Sequence, residues 1–138
     1  MSIILQHFEV DIPELVGAVC ERFLCLQFRD DTGNMIPGVL WLKIAGGAWH
    51  RFFIDAWVLF WRELDDFEDE SDSDCVFYDL GSHFAFEGGR IAGINMRQTP
   101  DDAEFDARLT ISFADGRVLI LQHKEDPAQV RLTVSNAA

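Results

Sequence analysis

The 138 residues carry 24 acids against 11 Lys and Arg, a formal net charge of −13, so charge opposes nonspecific attachment to nucleic acid or to anionic membranes. At 49% hydrophobic residues the chain is too apolar for intrinsic disorder, and no apolar run reaches the ~18 residues of a membrane span. Length and composition predict one domain over residues 1–138, built on one core.

The opening MSIILQHFEVD lacks a basic n-region, and its continuous apolar stretch is only Ile3 to Leu5, so no secretory leader is expected. Cys20, Cys25 and Cys75 are odd in number, and the first two have C-x4-C rather than C-x2-C spacing. They read as reduced thiols of a cytoplasmic protein.

Leu5 to Val10 predicts a short first strand. Asp11-Ile12-Pro13-Glu14 has capping-box spacing with Pro in the first turn, and Ile12, Leu15, Val16, Val19, Cys20 and Phe23 recur at helical intervals, which predicts a short N-terminal helix of two to three turns. Phe23 to Arg29 then alternates, with Leu24, Leu26 and Phe28 on one face, as a half-buried strand does. Asp30 to Asn34 and Pro37-Gly38 frame a loop.

Val39 to Leu64 contains all four tryptophans together with Phe52, Phe53 and Phe60. Each aromatic ring buries about 150–250 Å² at roughly 25 cal/mol per Å², so this stretch is the expected centre of the core. Val39 to Ala45 reads as a strand, Gly46-Gly47 as a hairpin turn and Ala48 to Asp55 as the return strand. Residues 51 to 64 fit both a strand and a helical stripe. Their aromatic and β-branched content favours strand, with a bulge near Asp55-Ala56.

Asp65 to Asp74, DDFEDESDSD, is a charged loop. Between Glu63 and Asp79 there are nine acids and no Lys or Arg. Val76 to Leu80 and His83 to Phe86 are strand candidates divided by Gly81-Ser82, and Gly88-Gly89 turns the chain into a strand from Arg90 to Arg97. After the Thr99 to Asp102 loop, Leu109 to Phe113 alternates, Asp115-Gly116 signals a hairpin and Val118 to Gln122 returns. Glu125-Asp126-Pro127 ends that strand, and Val130 to Val134 supplies another. The fold expected is mainly β: an antiparallel β-sandwich or partly open barrel of about eight strands with one short N-terminal helix, and no internal repeat.

The acidic run fails the EF-hand pattern, because a register starting at Asp69 has Asp74 where Gly is needed and one starting at Asp72 has Val76 and Phe77 at positions five and six. It reads instead as a solvated loop or as a surface for a basic protein partner, formed by Asp65, Asp66, Glu68, Asp69, Glu70, Asp72 and Asp74. An immunity-type protein neutralising a basic nuclease is one concrete form of that docking. Trp49, Phe53, Trp57 and Trp61 are the candidate surface for a homodimer, since so many rings strain the capacity of a small core. No metal ligand set, cofactor or catalytic group is assigned. The histidines share no H-x-H or H-x3-H spacing, and Gly81-Ser82-His83 is not a nucleophile elbow. Two alternatives remain: a small-ligand or metal-dependent enzyme on a barrel, using His50, His83 and His123, and a structural subunit of a homo-oligomer.

Overall fold

A computed structural model describes residues 8–55, 58–100, 105–124 and 129–135. The expectations at Leu5 to His7, Ala56, Trp57, Asp101-Asp102 and Glu125 to Pro127 lie outside these residues. Ten strands are present among the described residues: β1 Phe8–Asp11, β2 Cys20–Arg29, β3 Met35–Ile44, β4 Trp49–Asp55, β5 Val58–Leu64, β6 Cys75–Asp79, β7 Ile91–Pro100, β8 Phe105–Phe113, β9 Val118–Lys124 and β10 Gln129–Ser135. They form two antiparallel five-stranded sheets, ordered β1-β7-β8-β9-β10 and β5-β4-β3-β2-β6. The architecture is a sandwich, not a closed barrel.

Both sheets share one plan. Each is a four-stranded meander, β2 to β5 or β7 to β10, with a fifth strand laid beside the first strand of the meander, β6 beside β2 and β1 beside β7. No sequence periodicity announces this correspondence. The main core lies between the sheets and includes Phe23, Leu40, Leu42, Phe52, Leu80, Phe86, Leu109, Ile111, Leu119 and Leu121. A second cluster, Leu24, Leu26, Val39, Trp41 and Trp49, covers the outer face of the second sheet. Central strands β2 and β3 are therefore buried on both faces, and Phe23 to Leu26 and Val39 to Leu42 read as continuous apolar runs.

The N-terminal helix contracts to a single 3-10 turn, Pro13–Leu15. Ile12 stands at the cap position and offers no side-chain bond, so the capping box is not formed. Gly17 takes φ of +86° and its amide donates to the Ile91 carbonyl at 2.7 Å, while the Cys20 amide donates to Gly89 at 2.8 Å. These long-range acceptors replace the i−4 carbonyls a helix needs. Ile12 and Leu15 are still buried as the stripe predicted, but Val16 is 54% exposed.

Three other expectations shift. Pro37-Gly38 lies inside β3, not in a loop; Pro37 pairs with Gln27 beside a register irregularity and beyond the β4 pairing, where its missing N–H does no harm. The Arg51 to Leu64 stretch is strand, as expected, but reverses between Asp55 and Val58, which face each other in register. His83 to Phe86 is not a strand: Leu80–His83 is one helical turn, α1, capped by Asp79, whose Oδ1 accepts from the Ser82 amide at 3.0 Å. Ala85 then takes φ of +57° and turns Phe86 into the core.

Gln98 joins the sheets at one side. It is 3% exposed, and its Oε1 accepts from the Leu59 amide at 3.2 Å, so the edge of β5 is capped by a residue of β7. At the opposite side β10 and β6 are the terminal strands, each with an edge that pairs with no strand among the described residues.

Candidate partner-docking surface

The acidic segment is not a free loop. Phe67, the one ring in DDFEDESDSD, packs on the outer face of the second sheet with its centroid 5.0 Å from Trp41, 4.9 Å from Trp49 and 5.2 Å from Phe77. Trp41 and Trp49 meet edge to face at 6.0 Å. Burying these rings opposes the like-charge repulsion that otherwise extends such a run. A second fastening comes from Glu70, which takes the Arg51 guanidinium in a two-point fork: Nε to Oε1 at 2.9 Å and Nη2 to Oε2 at 3.0 Å. The Arg51 Cζ also lies 4.2 Å from the Phe53 ring and 5.7 Å from Trp41. Planar pairing and ring stacking together hold this arginine more tightly than either alone.

Between and beyond these fastenings, Asp65, Asp66, Glu68, Asp69, Asp72 and Asp74 are exposed, whereas Glu70 is half-buried against Arg51. Asp69 Oδ1 accepts from the Ser71 amide at 2.9 Å and its hydroxyl at 2.5 Å, and these bonds hold the Asp69 carboxyl below its ordinary range. Asp72 Oδ1 accepts from the Asp74 amide at 2.7 Å. The segment thus presents six outward carboxylates on a backbone shaped by its own side chains. The Trp41 indole N–H, buried beneath Phe67, has no hydrogen-bond partner among the described residues.

The proposed self-association set is placed differently. Trp49 is buried under Phe67, and Trp61 points into the main core, where its Nε1 donates to His50 Nδ1 at 3.0 Å. Phe53 stacks on Phe60 at 5.1 Å, and Phe60 is 41% exposed. Trp57 lies outside the described residues.

The histidines do not converge. His50 is buried in β4, His83 sits on α1 between Tyr78 and Phe84, and His123 belongs to β9. Among the described residues no group of three or more His, Cys, Asp or Glu side chains is arranged to hold a metal ion. The bond from Trp61 leaves His50 Nδ1 unprotonated and puts the ring proton on Nε2. Burial pushes the His50 pKa down, more strongly than the Glu63 and Glu14 charges push it up. Below its ordinary value near 6.5, the unfolded chain binds this proton more readily than the folded one, so stability falls as pH drops through that window. Urea midpoints measured from pH 7.5 to 5 should decline, and His50→Gln should flatten the decline; equal slopes for both proteins would refute the assignment.

The surroundings of all three thiols favour the protonated form. Burial pushes Cys20 and Cys25 up to about 12. Cys75 is also raised, first by desolvation and then by the carboxylates of the acidic segment, chiefly Asp72.

Sequence reasoning identified the acids but missed Phe67 and Arg51 as the parts that fix them. The available signal was a lone ring inside an otherwise charged run. It also missed a cleft of about 270 Å³ on the side of the sandwich opposite Gln98, lined by Gln27, Pro37, Tyr78, Leu80, Phe84, Leu132 and Val134. No family model, curated protein or solved structure matches this chain.

Proposed function

We propose that the protein is a non-enzymatic acidic binding module that docks a basic protein partner on residues 65–74. The observation carrying this reading is that six exposed carboxylates stand on a segment fastened at Phe67 and Glu70. A surface ordered before association loses less entropy on binding, and its field speeds encounter with a positive partner. Neutralisation of a basic nuclease is the narrower form of the same reading and rests on the same charge. Free thiols and the absence, among the described residues, of any helix long and apolar enough to cross a membrane fit a cytoplasmic setting. A homodimer is the secondary reading, because Trp49 and Trp61 are committed within the fold and Phe60 is left as the exposed ring of that set's neighbourhood.

The test compares the protein with a variant carrying Asp65→Asn, Asp66→Asn, Glu68→Gln, Asp69→Asn, Asp72→Asn and Asp74→Asn as baits in cell extract. Proteins captured at low salt and lost from the variant should be basic, and with the purified captured protein the association rate should fall steeply between 50 and 500 mM salt, as expected when a Debye length near 10 Å at 0.1 M shrinks further. Capture that is indifferent to both the substitutions and salt rejects the proposal.

A further inference from the structure

The two meanders end differently. Among the described residues both last strands, β5 and β10, have an outer edge that pairs with no strand, but on β5 the Leu59 amide is taken by Gln98 of the facing sheet. β10 lies over β3, so the inner face of the second sheet continues past it along β2 and β6. The cleft occupies that uncovered strip. Its floor is Gln27, Tyr78 and Leu80, and its wall is Leu132 and Val134 of β10. A volume of about 270 Å³ equals about nine waters at liquid density. That is below the ~300–1,000 Å³ of sites that enclose drug-sized ligands, and it suits the side chains of a peptide.

We propose that this strip is a strand slot: an extended segment of the basic partner adds to the free edge of β10, seats alternate apolar side chains in the cleft and brings basic residues to the carboxylates at the head of β6. The inference rests on the docking function above and gives it a mode of recognition. Main-chain bonding to an open edge supplies affinity, and the alternating pockets supply selectivity. Charge says which segments enter. Asp72 and Asp74 immediately precede β6, with Asp74 about 7 Å along the chain from Val76, and the Asp74 carbonyl already extends the ladder by accepting from the Arg29 amide at 2.9 Å. A second copy of this chain, itself at −13, is repelled from that rim, while a segment with Lys or Arg beside its apolar residues is attracted. β6 is the poorer acceptor of a strand: it has five residues, and the N–H and C=O of Cys75 are already paired with Asp72.

The experiment titrates the full chain with the synthetic peptide Lys-Lys-Lys-Ser-Val-Thr-Val-Thr and with the same peptide N-methylated at every residue of its Ser-Val-Thr-Val-Thr half, which keeps charge and side chains but removes the ladder donors from both strand edges. Amide shifts are expected along β10 and at Tyr78 with the first peptide, and binding about tenfold weaker with the second. Val134→Asn, which leaves the net charge unchanged, should weaken the first peptide without altering the second. Equal affinity of the two peptides with shifts confined to residues 65–74 overturns the slot and leaves acidic docking intact. Shifts along β10 that survive neutralisation of those six acids overturn the docking reading and leave the slot. No shifts from either peptide reject both.

Discussion

Phe67→Ala should lower the unfolding free energy by about 2–3 kcal/mol and move tryptophan emission to longer wavelength in the folded protein. Removing a fully buried phenyl ring costs about 3–5 kcal/mol, and Phe67 is only partly enclosed, which places it at or just below the bottom of that range. The emission change follows from structure: Phe67 covers both Trp41 and Trp49. With the ring gone, water reaches the outer cluster, and the acids are left with the Arg51–Glu70 fork alone. Urea unfolding and fluorescence spectra check both halves. Phe60→Ala is the control, because that ring is largely outside the cluster and should change stability by under ~1 kcal/mol. A Phe67→Ala protein with the wild-type spectrum and midpoint would show that the segment is not fastened there.

Arg117→Ala should cost about 2–3 kcal/mol. This side chain leaves the β8–β9 turn and donates to the Phe84 carbonyl, to the Ala85 carbonyl at 3.0 Å and to Asp115 Oδ2 at 2.7 Å, with its guanidinium 4.7 Å from the Phe86 ring. It holds the left-handed bend at Ala85 that delivers Phe86 to the core, where Phe86 stacks on Phe113 at 4.5 Å. Hydrogen bonds to a charged donor contribute about 1.5–3 kcal/mol, and here two carbonyls lose theirs together. Arg117→Lys keeps the charge without the fork, so it should recover less than half of the loss in thermal or urea denaturation. Full recovery by lysine would show that charge alone matters at this position.

The hairpins were legible because each has local punctuation. Asp115-Gly116 turns with Gly116 at φ of +95°, and Gly46-Gly47 turns with Gly46 at +73°. Strand identity for 51 to 64 was legible from its aromatic and β-branched content, although the reversal after Asp55 was not, since no Gly, Asn or Pro marks it. The N-terminal helix failed for a physical reason: Ile12 and Leu15 satisfy a helical stripe and a folded turn equally well, and the deciding acceptors, Ile91 and Gly89, lie about seventy residues away. Distance in sequence also hid the architecture of the acidic segment. Its charge was plain from composition, but the fork from Arg51 to Glu70 spans a separation of 19 residues and depends on β4 lying beneath the segment. The cleft joins residues from Gln27 to Val134, and no local pattern foretells such a meeting.

The common plan of the two sheets carries a consequence for assembly of the fold. Each meander zips through neighbouring hairpins, whose loop-closure entropy is small, but β1 must find β7 across 84 residues, the separation of the Asp11–Asn95 contact. The leading strand is thus the last to seat on the nascent sheet. It is also the natural element for one molecule to lend another when chains refold at high concentration.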